Sequence, residues 1–148
     1  MRLRNLGPLH VDTLMRMPEW LQSDDPRARS RLFPAAYTDA DDLADWQRYA
    51  HPDLAHLYAS RVELISTDLA SLDADEEMTF QMIIPDKHGA AWLSALNGAR
   101  LVLYSLHDLT VEDMETDPAD LDDVDKELVL LRIHVMAYLQ ELLIEAGV

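Results

Sequence analysis

The chain has 148 residues, the size of one ordinary domain, and carries a net charge of −16 with no cysteine. Those numbers exclude disulfides, thiolate zinc sites and cysteine nucleophiles. They also argue against nucleic acid as a partner, because phosphate backbones are held largely by Lys and Arg. Hydrophobic residues make up 49% of the chain, which is the composition of a folded domain, and four glycines are too few for a barrel or sandwich of many tight turns.

The charge is unevenly spread. Residues 1–31 hold Arg2, Arg4, Arg16, Arg27, Arg29 and Arg31 against four acids, a balance of +2, and the remainder is at −18. Such segregation suits contact with a charged face of a protein partner, and it also favours solubility. Arg2 and Arg4 begin a stretch to Gln22 that His10, Asp12, Arg16 and Glu19 interrupt, so no secretory h-region is visible. The most apolar stretch, Leu128 to Ile144, is broken by Arg132, His134, Gln140 and Glu141 and falls short of the roughly 20 apolar residues of a membrane span. A cytoplasmic location without membrane contact is the expectation.

Met1 to Leu6 alternates apolar and basic residues and predicts a short strand. Leu9 to Leu21 spaces Val11, Leu14, Met15, Trp20 and Leu21 as a helix does, with Pro18 expected to end or kink it. Ser23 to Ala36 reads as an irregular connector with one helical turn at Arg27–Leu32. Thr38 or Asp39 is a candidate N-cap for a helix carrying Leu43, Trp46, Tyr49 and Ala50, which His51-Pro52 should break. Pro52 then opens a helix to Leu72.

Met78 to Ile84 is the clearest strand, and pairing with residues 2–6 would satisfy its backbone groups. Asp86 is placed to cap a helix from His88 to about Leu106. After an acidic loop, Asp117-Pro118 is expected to start the last helix, which runs to Glu145 with Gly147 at its C-terminal cap. The fold expected over residues 1–148 is therefore a single mainly α domain. It comprises a bundle of about five helices with a two-stranded β ribbon near residues 2–6 and 78–84. The helix at Leu128–Ile144 is apolar on nearly every side, so it lies at the centre or lends a face to a homodimer.

Three segments carry a resemblance: Asp25 to Tyr37 (DPRARSRLFPAAY), Ala44 to Leu54 (ADWQRYAHPDL) and Ala90 to Leu103 (AAWLSALNGARLVL), supported by Tyr138 to Leu142. Over about residues 25–146 the chain resembles an uncharacterised bacterial family, the domain of unknown function numbered two thousand and seventeen. The resemblance implies a small helical protein, often encoded near the adaptor of the Clp protease. It assigns no catalytic residue. His88 and Gly89 depart from the pattern, which favours acidic residues or alanine there.

Two groups of residues are candidates for a site. Leu93, Asn97, Arg100 and Tyr104 share one helix face beside the apolar Trp92, Leu96, Ala99 and Leu103. Arg100 and Asn97 together can grip a carboxylate or phosphate, or else Arg100 pairs with an internal acid such as Glu63 or Asp68. Arg27, Arg29 and Arg31 alternate beside Leu32-Phe33-Pro34. They form either a docking segment for an acidic partner or peptide, or a counterweight to the molecule's own acids. Of the six histidines, His56 follows Asp53 at a spacing used on metal-binding helices, but no matching pair or HExxH is present, and no metal or cofactor is expected. With no GxSxG and no phosphate loop, a non-enzymatic protein-binding, adaptor or regulatory protein is the leading reading. A small-molecule or enzymatic site at Arg100 and Asn97 is the alternative.

Overall fold

The computed structural model describes residues Met1–Val148. In chain order it runs β1 (Arg2–Leu6), α1 (Pro8–Leu21), α2 (Pro26–Leu32), α3 (Ala40–Asp45), a π-turn (Trp46–Ala50), α4 (His51–Leu69), β2 (Asp73–Ala74), β3 (Phe80–Ile83), α5 (Gly89–Leu106), α6 (Val111–Glu115) and α7 (Val124–Glu145). The fold is mainly α with a small antiparallel sheet, as the periodicity predicts. The helices number more than five because the Arg27–Leu32 turn is a full helix and α6 adds a short one.

Helix α5 is the hub, packing against α1, α2, α4 and α7 at once. Its small residues Ala95, Gly98 and Ala99 alternate with Trp92, Leu96, Val102 and Leu103, and all are buried. Small residues let neighbouring backbones approach, and the large ones fill the gaps between them. Gly98 marks a close approach to α1, α2 and α4. A Cβ there would lie 2.7 Å from the Tyr58 hydroxyl and 3.2 Å from methyls of Leu21 and Leu32. Helix α7 buries Val129, Leu130, Ile133, Val135, Met136, Leu139 and Leu143 against α1 and α5, while Leu128, Tyr138 and Ile144 face outward.

The sheet has three strands in the order β1-β3-β2, one more than expected. Arg2 pairs with Ile83, Leu3 with Met82 and Leu6 with Phe80, with a register break between Leu3 and Leu6. Asn5 takes a left-handed φ of 58° inside that break. Leu3 and Leu6, three apart, would face opposite sides of a regular strand; the bulge lets both be buried. The additional strand, Asp73–Ala74, pairs with Gln81 and Phe80. Asp75 holds the connecting turn by accepting from the backbone N–H groups of Glu77 and Thr79 and from the Thr79 hydroxyl. Met78, expected in the strand, takes a left-handed φ of 59° in that turn.

Several boundaries depart from expectation for local reasons. Helix α1 continues past Pro18 to Leu21, so the proline occupies its last turn, where it removes one bond only. His51-Pro52 does not break the helical path. A π-turn joins α3 to α4, with the His51 N–H donating to the Trp46 carbonyl. The wider turn suits a proline, whose ring would otherwise collide with the carbonyl four residues back. Asp39 caps α3 as expected, accepting from the N–H groups of Asp41 and Asp42. Asp86 does not cap α5; its carboxylate takes the Met1 ammonium at 2.8 Å. The last helix begins at Val124, not Pro118, because Asp123 caps it while Pro118–Asp120 forms a separate 3₁₀ turn. Gly147, at φ 78°, ends it as predicted.

Candidate functional site

Between Ala28 and Val62 no residue is buried. That 33-residue stretch contains Leu32, Phe33, Tyr37, Leu43, Trp46, Tyr49, Leu54, Leu57 and Tyr58, a large apolar content for a segment so little covered. Only Leu32 and Tyr58 pack partly against the core. Tyr37, Tyr49, Leu54 and Leu57 are 51%, 65%, 46% and 48% exposed. Helix α3 and the π-turn bury nothing. Contiguous exposed apolar surface of this kind marks interaction sites more often than scattered apolar residues do.

The stretch folds over on itself and forms a groove. Leu32 to Ala36, Trp46, Leu54, Leu57, Tyr58, Arg61 and Ser94 line a hollow of about 410 Å³. A second hollow of about 330 Å³ continues it, sharing Phe33, Ala35 and Trp46 and adding Gln47 and His51. The walls are an aromatic cluster: Phe33 lies 5.3 Å from His51 and 5.2 Å edge-on from Tyr58, and His51 lies 5.3 Å from Trp46. The π-turn aims Trp46 into this cluster; single π-turns inside helices often occur at functional sites. The segments Asp25–Tyr37 and Ala44–Leu54 form the groove, and Ser94 and Gly98 of Ala90–Leu103 lie beneath it. The three stretches that carry the family resemblance therefore converge on one place.

Two polar groups mark the groove floor. The Tyr58 hydroxyl is buried against Gly98 without a hydrogen-bond partner. Burial pushes its pKa up to about 12, while the nearby Arg61 charge pulls the other way. Arg61 donates to the Ser94 hydroxyl at 3.4 Å and forms no ion pair.

The six residues singled out from sequence divide into neighbouring sites. Arg27, Arg31 and Tyr104 share a surface hollow of about 330 Å³ with Ser105 and Asp108. Arg31 donates to the Ser105 hydroxyl at 3.0 Å and lies over the Tyr104 ring at 5.8 Å. Arg27 is held by Asp25 and Asp108, and its hydrogen bonds draw the Asp25 carboxyl below its ordinary range. Arg29 stands apart, stacked over Phe33 at 4.9 Å on the groove side of α2. Asn97, Arg100 and Tyr104 line a smaller hollow of about 130 Å³ with Leu101, Met114 and Ile133.

Neither Glu63 nor Asp68 pairs with Arg100. Its guanidinium donates to Gln140 at 2.6 Å, and Gln140 in turn donates to the Leu93 carbonyl, which stitches α7 to α5. Asp68 is buried elsewhere, accepting from His88 and from the Trp92 indole. The two departures from the family pattern have local partners: His88 binds Asp68, and Gly89 leaves the space that the Val148 side chain occupies. Sequence reasoning missed the groove. Its signal lay in the quoted motifs, where Phe33-Pro34 and Trp46 to Pro52 are concentrated beside loops. No group of three or more His, Cys, Asp or Glu side chains is placed to hold a metal ion. No helix is long and apolar enough to cross a membrane.

No curated protein and no solved structure matches the chain. A family model does match, over residues 7–147, and the chain accordingly belongs to the family described as Domain of unknown function (DUF2017).

Proposed function

We propose that this chain is a non-enzymatic protein-binding module, and that its docking surface is the groove between α2 and the π-turn. The observation that carries the reading is the unburied stretch between Ala28 and Val62, with its aromatic walls and half-exposed Leu54 and Leu57. The groove is lined by one histidine and no carboxylate, so it holds no acid–base pair of the kind catalysis uses. The occupant is an acidic segment of a partner protein. Arg29, Arg31 and Arg61 border the groove or its helix and make no ion pair within the chain: Arg29 stacks over Phe33, and Arg31 and Arg61 donate to serine hydroxyls. An adaptor role beside the Clp protease, which the family resemblance implies, is one setting for such a module.

The test is an affinity pull-down from cell extract with wild-type protein, a Leu57→Asp variant and an Arg27/Arg29/Arg31→Ala variant. A stoichiometric partner lost from the Leu57→Asp lane, and weakened by the arginine changes and by salt, supports the reading. A partner retained at full strength by Leu57→Asp moves the contact off the groove, and the absence of any stoichiometric partner sinks the reading.

The alternative, a small-molecule site at Asn97 and Arg100, draws support from the acid-free Arg100 guanidinium beside Tyr104. Its hollow of about 130 Å³ is smaller than the roughly 300–1,000 Å³ of ordinary ligand pockets. Thermal shift with phosphate and dicarboxylate compounds decides it: a stabilisation lost in Arg100→Gln favours the site, and none at millimolar ligand rejects it.

A further inference from the structure

The groove has a chemistry that narrows what occupies it. Among its lining residues Arg61 is the only one with a full charge, and its guanidinium makes one hydrogen bond, to the Ser94 hydroxyl at 3.4 Å, and no ion pair. A guanidinium offers five donors in a planar fork, so most of them are free for an incoming acceptor. The acids of the same stretch are Asp39, Asp41, Asp42 and Asp45 at or on α3 and Asp53 in the first turn of α4, and none lines the groove. A cation in a mostly apolar wall is matched by an anion attached to an apolar body.

A second copy of the chain fits less well. Each molecule carries a net charge of −16, so apposing two copies brings like fields together, which costs association unless the interface itself is strongly complementary. A short partner segment adds little charge beyond the group that meets Arg61.

We infer that the groove accepts a partner segment presenting a bulky apolar side chain beside a carboxylate, the side chain entering between Phe33, Trp46 and Leu57 and the carboxylate meeting Arg61. This rests on the docking reading above and specifies the motif that docks. The apolar part supplies anchoring and Arg61 supplies selection, since a guanidinium–carboxylate fork is directional while apolar burial is not. A lysine or arginine beside the anchor is excluded by the same charge.

The test uses an array of alanine-flanked octapeptides whose two central positions run through every pair of residues. It is probed with the wild-type chain and with Arg61→Gln and Leu57→Asp, each first checked for native circular dichroism. The wild type is expected to concentrate on pairs joining Leu, Phe, Trp or Met to Asp or Glu. In Arg61→Gln the acid-bearing pairs should weaken about tenfold, toward the level of the apolar pairs without acid. Leu57→Asp should lose both classes. Apolar pairs bound equally with and without an acid would overturn the inference and leave the groove as a docking site. No selective pair, or a pattern unmoved by Leu57→Asp, would overturn the groove itself. A homodimer in sedimentation that Leu57→Asp dissociates would give the groove to a second copy and overturn the inference too.

Discussion

Asp68, near the end of α4, accepts the indole N–H of Trp92 on α5 at 2.9 Å, and both side chains are buried. The same carboxylate takes His88 at 2.9 Å, so one acid fastens the C-terminal end of α4 to the start of α5. Removing it orphans the buried Trp92 indole N–H and leaves the half-buried His88 ring without its partner. Asp68→Ala is expected to destabilise by about 3 kcal/mol, and Asp68→Asn, which keeps an acceptor, by about half as much. Urea unfolding followed at the Trp signal measures both. Equal loss in the two variants would mean that the charge, not the hydrogen bonding, does the fastening.

Gly98 and Tyr58 form a second coupled pair. In an exposed helix Gly→Ala gains about 1 kcal/mol, but here the new methyl meets the Tyr58 hydroxyl at 2.7 Å. Gly98→Ala is expected to lose about 1–3 kcal/mol through overpacking. Tyr58→Phe removes a buried hydroxyl that has no partner, so it should be neutral or slightly stabilising. The double variant should recover part of the Gly98→Ala loss, which a double-mutant cycle by chemical denaturation reads directly.

The same hydroxyl gives an alkaline signature. Its folded pKa stands at about 12, above the ordinary 10.0, because burial disfavours the phenolate. The phenol therefore contributes its full stability below the unfolded value. That contribution is lost as pH rises from 10.0 through about 12, where the unfolded chain ionises first. Since the ring is partly exposed, a loss on the order of 1 kcal/mol is expected. Tyr58→Phe should show a correspondingly flatter alkaline limb in pH-dependent unfolding.

Hydrogen exchange should separate the molecule into two regimes. The amides of α5, buried among four helices, should exchange only through global unfolding, while those of α3 and the π-turn should exchange through local opening. Exchange read by mass spectrometry checks this. Protection in residues 40–50 equal to that of α5 would show that the segment is anchored more firmly than its packing implies.

Much of the architecture was legible because apolar periodicity and caps are local. The strand around Phe80–Ile83, the helix over Ala90–Leu103, the Asp39 cap and the Gly147 terminus all follow from adjacent residues. Strand β2 escaped because Asp73-Ala74 has no β-branched or aromatic residue; its pairing is imposed by the Asp75-anchored turn. The π-turn escaped because a proline signals a break, and sequence does not say whether a wider turn can absorb it. Arg100 was correctly placed beside Asn97 and Tyr104, yet its partner is the amide of Gln140, forty residues away. The groove escaped for a related reason. Leu54, Leu57 and Trp46 have helical spacing, which identifies an apolar face but not whether anything covers it.

The unburied stretch between Ala28 and Val62 has a consequence for how this chain can change. Apart from Leu32 and Tyr58, which lean on the core, its side chains hold few of the contacts on which folding depends. Substitutions at Tyr37, Trp46, Tyr49, Leu54 or Leu57 should therefore leave the folded population nearly untouched while altering what the surface recognises. The hub around α5 tolerates little variation. In such a division of labour, new specificities are reached by single steps without passing through an unfolded intermediate, so the scaffold can be reused while its choice of partner drifts.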